Sequence, residues 1–175
     1  ATIIMEGGTL NVADRISQYN EASNFNMSGG TVIVPTVLSN STDRFPFNYD
    51  NAGCSFSMSG GTIIIRRSGG SGGQNLGFNN QSTLGTGFIG GTLQIGDAST
   101  PAAQTMTIET SSPIYNLTVN SANATAKVSA SSITVTNNVT ITTGILDANS
   151  FNISVGGNWN NTSPAADPFL QGTAT

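Results

Sequence analysis

Histidine is absent from this chain, cysteine and tryptophan occur once each, and lysine and arginine together number five in 175 residues. Each scarcity removes a class of chemistry. Without histidine there is no Ser-His or Cys-His nucleophile pair, no imidazole general base and no ordinary zinc site. A single cysteine, Cys54, permits neither an internal disulfide nor a thiolate metal cluster. It reads as a small buried hydrophobe. Arg15, Arg44, Arg66, Arg67 and Lys127 are too few to track a phosphate backbone, so nucleic acid is not an expected partner. No run of about eighteen apolar residues is present, so no membrane-spanning helix is expected. Charged residues make up 8% of the chain, against roughly 25% in an average soluble protein. The shortage of lysine fits an extracellular protein. There is no initiator methionine and no signal peptide; "ATIIM" opens in mid-strand and "LQGTAT" closes on what reads as another strand. The chain is therefore expected to be a mature or excised segment of something larger.

Serine, threonine, asparagine and glycine take the place of the missing charges, and they recur in a pattern. Four segments align without gaps: "IIMEGGTLNV" (3–12), "FNMSGGTVIV" (25–34), "FSMSGGTIII" (56–65) and "TGFIGGTLQI" (86–95). The glycine pairs are Gly7 and Gly8, Gly29 and Gly30, Gly60 and Gly61, Gly90 and Gly91, spaced by 22, 31 and 30 residues. Met5, Met27, Met58 and Phe88 precede the pairs. After the threonine, Leu10, Val32, Ile63 and Leu93 alternate with variable residues and then Val12, Val34, Ile65 and Ile95. This period of two marks strands with one buried face. The glycine pair supplies a tight corner, and Thr9, Thr31, Thr62 and Thr92 then point outward as a ladder. Strands and corners at this repeat length predict a β-solenoid, in which stacked coils bury a continuous core. Strands at roughly eight- to twelve-residue spacing also suit a β-sandwich, which has no need of the same corner four times.

The whole chain, 1–175, reads as one solenoid segment: residues 1–96 hold the Gly-Gly-Thr repeats and 97–175 hold shorter coils. The triplets "LTV", "ITV" and "ISV" at 117, 133 and 153 suggest coils of roughly 16–20 residues. "TITTGILDA" (140–148) again reads strand, glycine corner, strand. "NSTDRFPFNYDNAG" (40–53) and "RRSGGSGGQN" (66–75) read as loop excursions, and "ADRISQYNEA" (13–22) as a loop. Coils of irregular length follow from this reading.

The wording "VTNNVTITTGILDANSFNISVGGNWNN" (135–161) resembles the repetitive regions of very large surface proteins of the Bacteroidetes type, with a strand, "GxLD", an Asn-rich turn and "ISVGGNW". The resemblance is clearest over about 113–175. It implies a right-handed parallel β-helix in a secreted, adhesin-like protein. Exported gliding-motility adhesins that leave by the type IX route are one such group.

The chemistry-bearing residues are scattered. The carboxylates are Glu6, Asp14, Glu21, Asp43, Asp50, Asp97, Glu109, Asp147 and Asp167, with no close pair in sequence of the kind a glycosidase requires. Asp43 and Asp50, with Asn40, Asn48 and Asn51, have the oxygen chemistry of a Ca²⁺ loop but not its Asp-x-Asp-x-Asp-Gly order. Arg66 and Arg67 flank a glycine loop that lacks the lysine of a phosphate loop. Trp159, Tyr19, Tyr49 and Tyr115 are the side chains that could stack on sugars, and packing explains them equally well. No catalytic, metal or cofactor site is assigned. The expected function is a structural or adhesive stalk segment of an extracellular cell-surface protein. Its partners would be neighbouring coils of the same larger protein and surface polysaccharide. The alternatives are a polysaccharide-degrading β-helix enzyme and a Thr-rich ice- or glycan-binding module.

Overall fold

A computed structural model describes residues 1–18, 23–35 and 42–172. Within them there are eighteen strands and no helix, and every strand pairing is parallel. The chain runs through successive coils. The first holds β1 (Thr2–Met5), β2 (Thr9–Asn11) and β3 (Ile16–Gln18); the second, β4 (Asn24–Met27), β5 (Thr31–Val34) and β6 (Phe47–Tyr49). The third holds β7 (Ser55–Met58), β8 (Thr62–Ile65) and β9 (Phe78–Asn80); the fourth, β10 (Leu84–Phe88), β11 (Thr92–Ile95) and β12 (Gln104–Thr110). In the next two coils the second and third strands merge into β13 (Asn116–Val128) and β15 (Val139–Asp147), with β14 (Ile133–Val135) between them. The last coil is β16 (Ile153–Val155), β17 (Trp159–Asn161) and β18 (Phe169–Leu170).

Like strands stack on like. The first strands form one side (β1-β4-β7-β10, then β14-β16), and the second strands another (β2-β5-β8-β11-β13-β15-β17). The third strands run β3-β6-β9-β12-β13-β15-β18. Because β13 pairs with β11 through its first half and β12 through its second, the second and third sides form one curled sheet. The arrangement fits a β-solenoid and has no place for the facing sheets of a sandwich.

The interior is built from columns. Met27 pairs with Met58, which pairs with Phe88; Val34 pairs with Ile65, which pairs with Ile95. An aromatic block fills coils two to four. Phe25 stacks on Phe56 at 5.3 Å, Phe47 stacks on Phe78 at 5.0 Å, and Phe25 meets Phe47 edge to face at 5.3 Å. Cys54 is buried among them.

Three sequence expectations need correction. Residues 47–49 are a strand of the third side, not loop, because Phe47 and Tyr49 are core residues with no exposed surface; residues 78–80, outside the 66–75 excursion, form the matching strand of the next coil. Ile16, expected in a loop, is buried in β3 and pairs with Phe47; residues 19–22 lie outside the described residues. The later coils are 24, 22 and 20 residues long, counted from Thr92 to Asn116, Leu117 to Val139 and Val139 to Trp159. The triplet at 117 belongs to the second side, whereas those at 133 and 153 pair with each other on the first.

Two predictions test this interior. Ile65 is fully buried and Ile64 faces outward, half-buried. Ile65→Ala should cost about 2–5 kcal/mol by urea unfolding, and Ile64→Ser no more than about 0.5 kcal/mol. Equal losses would mean the alternation is misassigned. The Tyr49 hydroxyl is buried without a hydrogen-bond partner, and burial raises its pKa well above the ordinary phenol value. Tyr49→Phe removes that unpaired group, so it should leave stability unchanged or raise it by about 1–3 kcal/mol. A large loss would reveal a partner for the hydroxyl.

Candidate functional site

The four Gly-Gly-Thr corners lie on top of one another at the junction of the first and second sides. The N–H of Thr62 donates to the Gly30 carbonyl at 3.0 Å, and the N–H of Thr92 to the Gly61 carbonyl at 3.0 Å. The corners of coils two, three and four thus hydrogen-bond directly to the corner before. That contact explains both glycines. Gly61 has φ of +82°, which a side chain would strain, and a Cβ there would sit 2.6 Å from the Gly30 carbonyl oxygen. Gly60 has an ordinary φ, but its Cβ would collide with the Ser28 carbonyl oxygen. The same division holds at Gly29 and Gly30 and at Gly90 and Gly91, whereas a Cβ at Gly7 or Gly8 meets nothing.

Thr9, Thr31, Thr62 and Thr92 pair in register as one column. Thr9 is exposed and the other three are half-buried. The column then changes residue. Asn116 pairs with Thr92 and donates from Nδ2 to the Gly91 carbonyl at 2.9 Å. Its Oδ1 accepts from the N–H of Asn138 at 3.3 Å, and Asn138 Oδ1 accepts from the N–H of Asn158 at 2.9 Å. An asparagine ladder therefore takes over this corner where Gly-Gly-Thr stops. The sequence signal for it was present: each asparagine stands immediately before the first inward residue of a second-side strand, Leu117, Val139 or Trp159.

The charges are segregated. The first-side strands, and the second-side strands β2, β5, β8 and β11, carry none. Glu109, Lys127 and Asp147 lie on the third side, where Lys127 approaches Asp147 at 3.8 Å. Burial raises the Glu109 carboxyl above its ordinary range, opposed by a hydrogen bond from Ser129. Most other charges sit in the segments leading to the third side, including Arg66, which is paired with Asp97 at 2.7 Å. Length variation is concentrated in those segments as well. The first corner is always three residues in coils one to four (6–8, 28–30, 59–61, 89–91), while the second is 12–15, 35–46, 66–77 and 96–103.

The Ca²⁺ candidates do not converge. Asn48 is a buried strand residue whose Oδ1 accepts from Asn79 at 2.8 Å, and Asn51 Oδ1 accepts from the N–H of Gly53. Asp43 is engaged with the following excursion, accepting from Gln74 Nε2 at 2.9 Å. Asn40, Tyr19 and Glu21 lie outside the described residues. Among the described residues no three of His, Cys, Asp and Glu group together as metal ligands. Of the aromatic candidates, Tyr49 is wholly interior and Tyr115 half-buried. Trp159 pairs with Val139, so it continues a core column, and it meets Phe169 edge to face at 4.9 Å. The two line a 430 Å³ hollow with Phe151 and Ile153 at the last coil. Arg67 remains exposed at the rim of the glycine excursion.

No helix among the described residues is long and apolar enough to cross a membrane. Comparison with family models, curated proteins and solved structures finds no match to the chain.

The corner geometry yields a graded prediction for this 175-residue chain. Gly60→Ala and Gly61→Ala should each cost about 1–3 kcal/mol, the first through collision and the second through backbone strain. Gly7→Ala should be neutral or slightly stabilising, by up to about 1 kcal/mol, because its Cβ has room and the unfolded chain loses freedom. Thermal denaturation of the three variants checks the order. A loss at Gly7 matching that at Gly60 would contradict corner stacking.

Proposed function

We propose that this chain is a non-catalytic adhesive stalk segment, a right-handed parallel β-helix within a larger secreted cell-surface protein of the Bacteroidetes adhesin type. The observation that supports this reading most is the assignment of residues to stacking. Corners, core columns and the asparagine ladder all serve coil-on-coil contact, and the outward positions of two sides are uncharged Ser, Thr, Asn, Gln and Ile. Such a surface makes many weak contacts per coil, and adhesion then rests on many copies acting together.

The test compares the purified segment as a monomer and as a multivalent display on beads, against surfaces coated with neutral or acidic polysaccharides. Retention of the beads with little retention of the monomer is expected, without new reducing ends or unsaturated products. Release of products that stops on substituting one carboxylate, Glu109→Gln or Asp147→Asn, would replace the stalk with the enzyme reading.

A second reading, a Thr-rich ice- or glycan-binding face, is favoured by one specific feature. Irregular coil length argues against a regular ladder only if the irregularity reaches it, and the excursions are concentrated on the far side of the second strands. Thermal hysteresis in a freezing assay, lost on Thr62→Tyr, would favour ice binding.

A further inference from the structure

The first side carries a feature that stacking does not require. Three of the five large hydrophobic side chains exposed among the described residues, Ile4 at 64%, Ile89 at 59% and Leu84 at 55%, lie on or beside its outer surface. The other two, Trp159 and Leu170, belong to the last coil. Between Ile4 and Ile89 a shallow cavity of 280 Å³ runs across four coils, with Asn26, Ser28, Ser57 and Ser59 along its floor. The register explains its shape. Ile4 pairs with Asn26 and Asn26 with Ser57, while Ser28, Ser59 and Ile89 each follow the core residues Met27, Met58 and Phe88. Two rows of small polar side chains thus lie between two projecting isoleucines, which are separated along the coil axis by three inter-coil spacings, about 14 Å.

The groove's chemistry restricts its occupant. Asn26, Ser28 and Ser59 are exposed and make no side-chain hydrogen bond to any described residue, so their donors and acceptors are open to a ligand. Ser57 Oγ accepts from the N–H of Thr86 at 3.0 Å. Glu6, at the rim, is the one charged residue lining it. None of the described residues lining the groove is a cation that could pair with a uronate, sulfate or phosphate, and Glu6 repels all three. A saccharide chain offers what fits: apolar C–H faces for the isoleucines and a rim of hydroxyls for the serines and the amide. We propose that this groove binds an uncharged polysaccharide lying along the coil axis. The proposal rests on the adhesive reading and names its ligand class and its side. A shallow, open groove gives weak binding per copy, which multivalent display amplifies.

The experiment uses the whole 175-residue chain on beads, with an uncharged β-glucan and alginate as probes, at low and high salt. Retention on the glucan is expected, unchanged by salt and exceeding that on alginate. Asn26→Ala with Ser59→Ala should lower the monomer's affinity for soluble glucan about tenfold, and Ser59→Glu should abolish it. Both positions are exposed, and unchanged melting temperatures will show that the variants fold. Thr118→Glu, on the second side, should leave retention intact. Parental binding by the groove variants, with adhesion maintained, would overturn the groove while leaving the stalk standing. Salt-sensitive preference for alginate would overturn the neutral ligand. Failure of the beads to adhere to any surface would overturn the adhesive reading and this proposal with it.

Discussion

Parallel pairing of each coil with the one before it is the constraint from which the rest follows. Inter-strand hydrogen bonds fix the separation of successive backbones at about 4.8 Å. A corner that turns in the plane of its coil must then fit under the corner above with no room for a side chain between carbonyls. Gly60 and Gly61 meet this requirement in two different ways, one by lacking a Cβ that would strike Ser28 and the other by adopting a left-handed φ beside Gly30. Either glycine alone would leave the other position obstructed. Repetition of the pair is therefore a consequence of stacking geometry. The asparagine ladder answers the same requirement with side-chain amides that bridge corner to corner.

This constraint also decides which parts of the structure the sequence made legible. Strands flanking the glycine pairs could be read because each inward position repeats an apolar residue at the same offset, as in Val34, Ile65 and Ile95. The third side could not be read this way. Phe47-Asn48-Tyr49 and Phe78-Asn79-Asn80 share a register, but excursions of different composition precede them, and the outward Asn48 and Asn79 are buried against each other. Alternation of burial fails there, since all six residues are buried, and period two carries no signal. Of the merged strands, β15 showed its corner in the sequence through the glycine of "TITTGILDA", whereas β13 has no glycine to mark one. Gly144, at φ +93°, sits in a strand that keeps pairing with β13 through the bend, on both sides of a register shift. The outer groove was not legible either, because it depends on which coils lie adjacent, and neither Ile4 nor Ile89 belongs to a recurring outward pattern.

Charge placement follows from the same architecture. Outward residues in a stacked column have like neighbours about 4.8 Å away on both sides. A repeated charge in such a column is therefore repelled twice, at a distance where screening by salt is slight. A chain built from imperfect repeats avoids this by keeping Thr, Ser and Asn in its columns. Where charges do enter the strands, on the third side, opposite signs are adjacent, as with Lys127 and Asp147. Arg66 and Asp97, in successive coils, obey the same rule. The uncharged outer surface is thus first a condition of stacking, and the ligand chemistry available to it is a consequence.

Stacking finally sets how function and stability can be separated in this molecule. An inward residue is shared by the coil above and the coil below, so its loss is felt in both. An outward residue such as Asn26 or Ser59 contributes little to either contact, and its side chain is free of partners. The outward positions of the first and second sides can therefore diverge from coil to coil without cost to the fold, as Asn11, Ile33, Ile64 and Gln94 do in a single column. The coils that carry Ile4 and Ile89 keep the same corner and core as their neighbours and differ from them in what they present. A surface that can change residue by residue on a backbone that cannot is suited to recognition of an extended ligand, because successive contacts are held at a spacing fixed by the backbone, not by the side chains that make them.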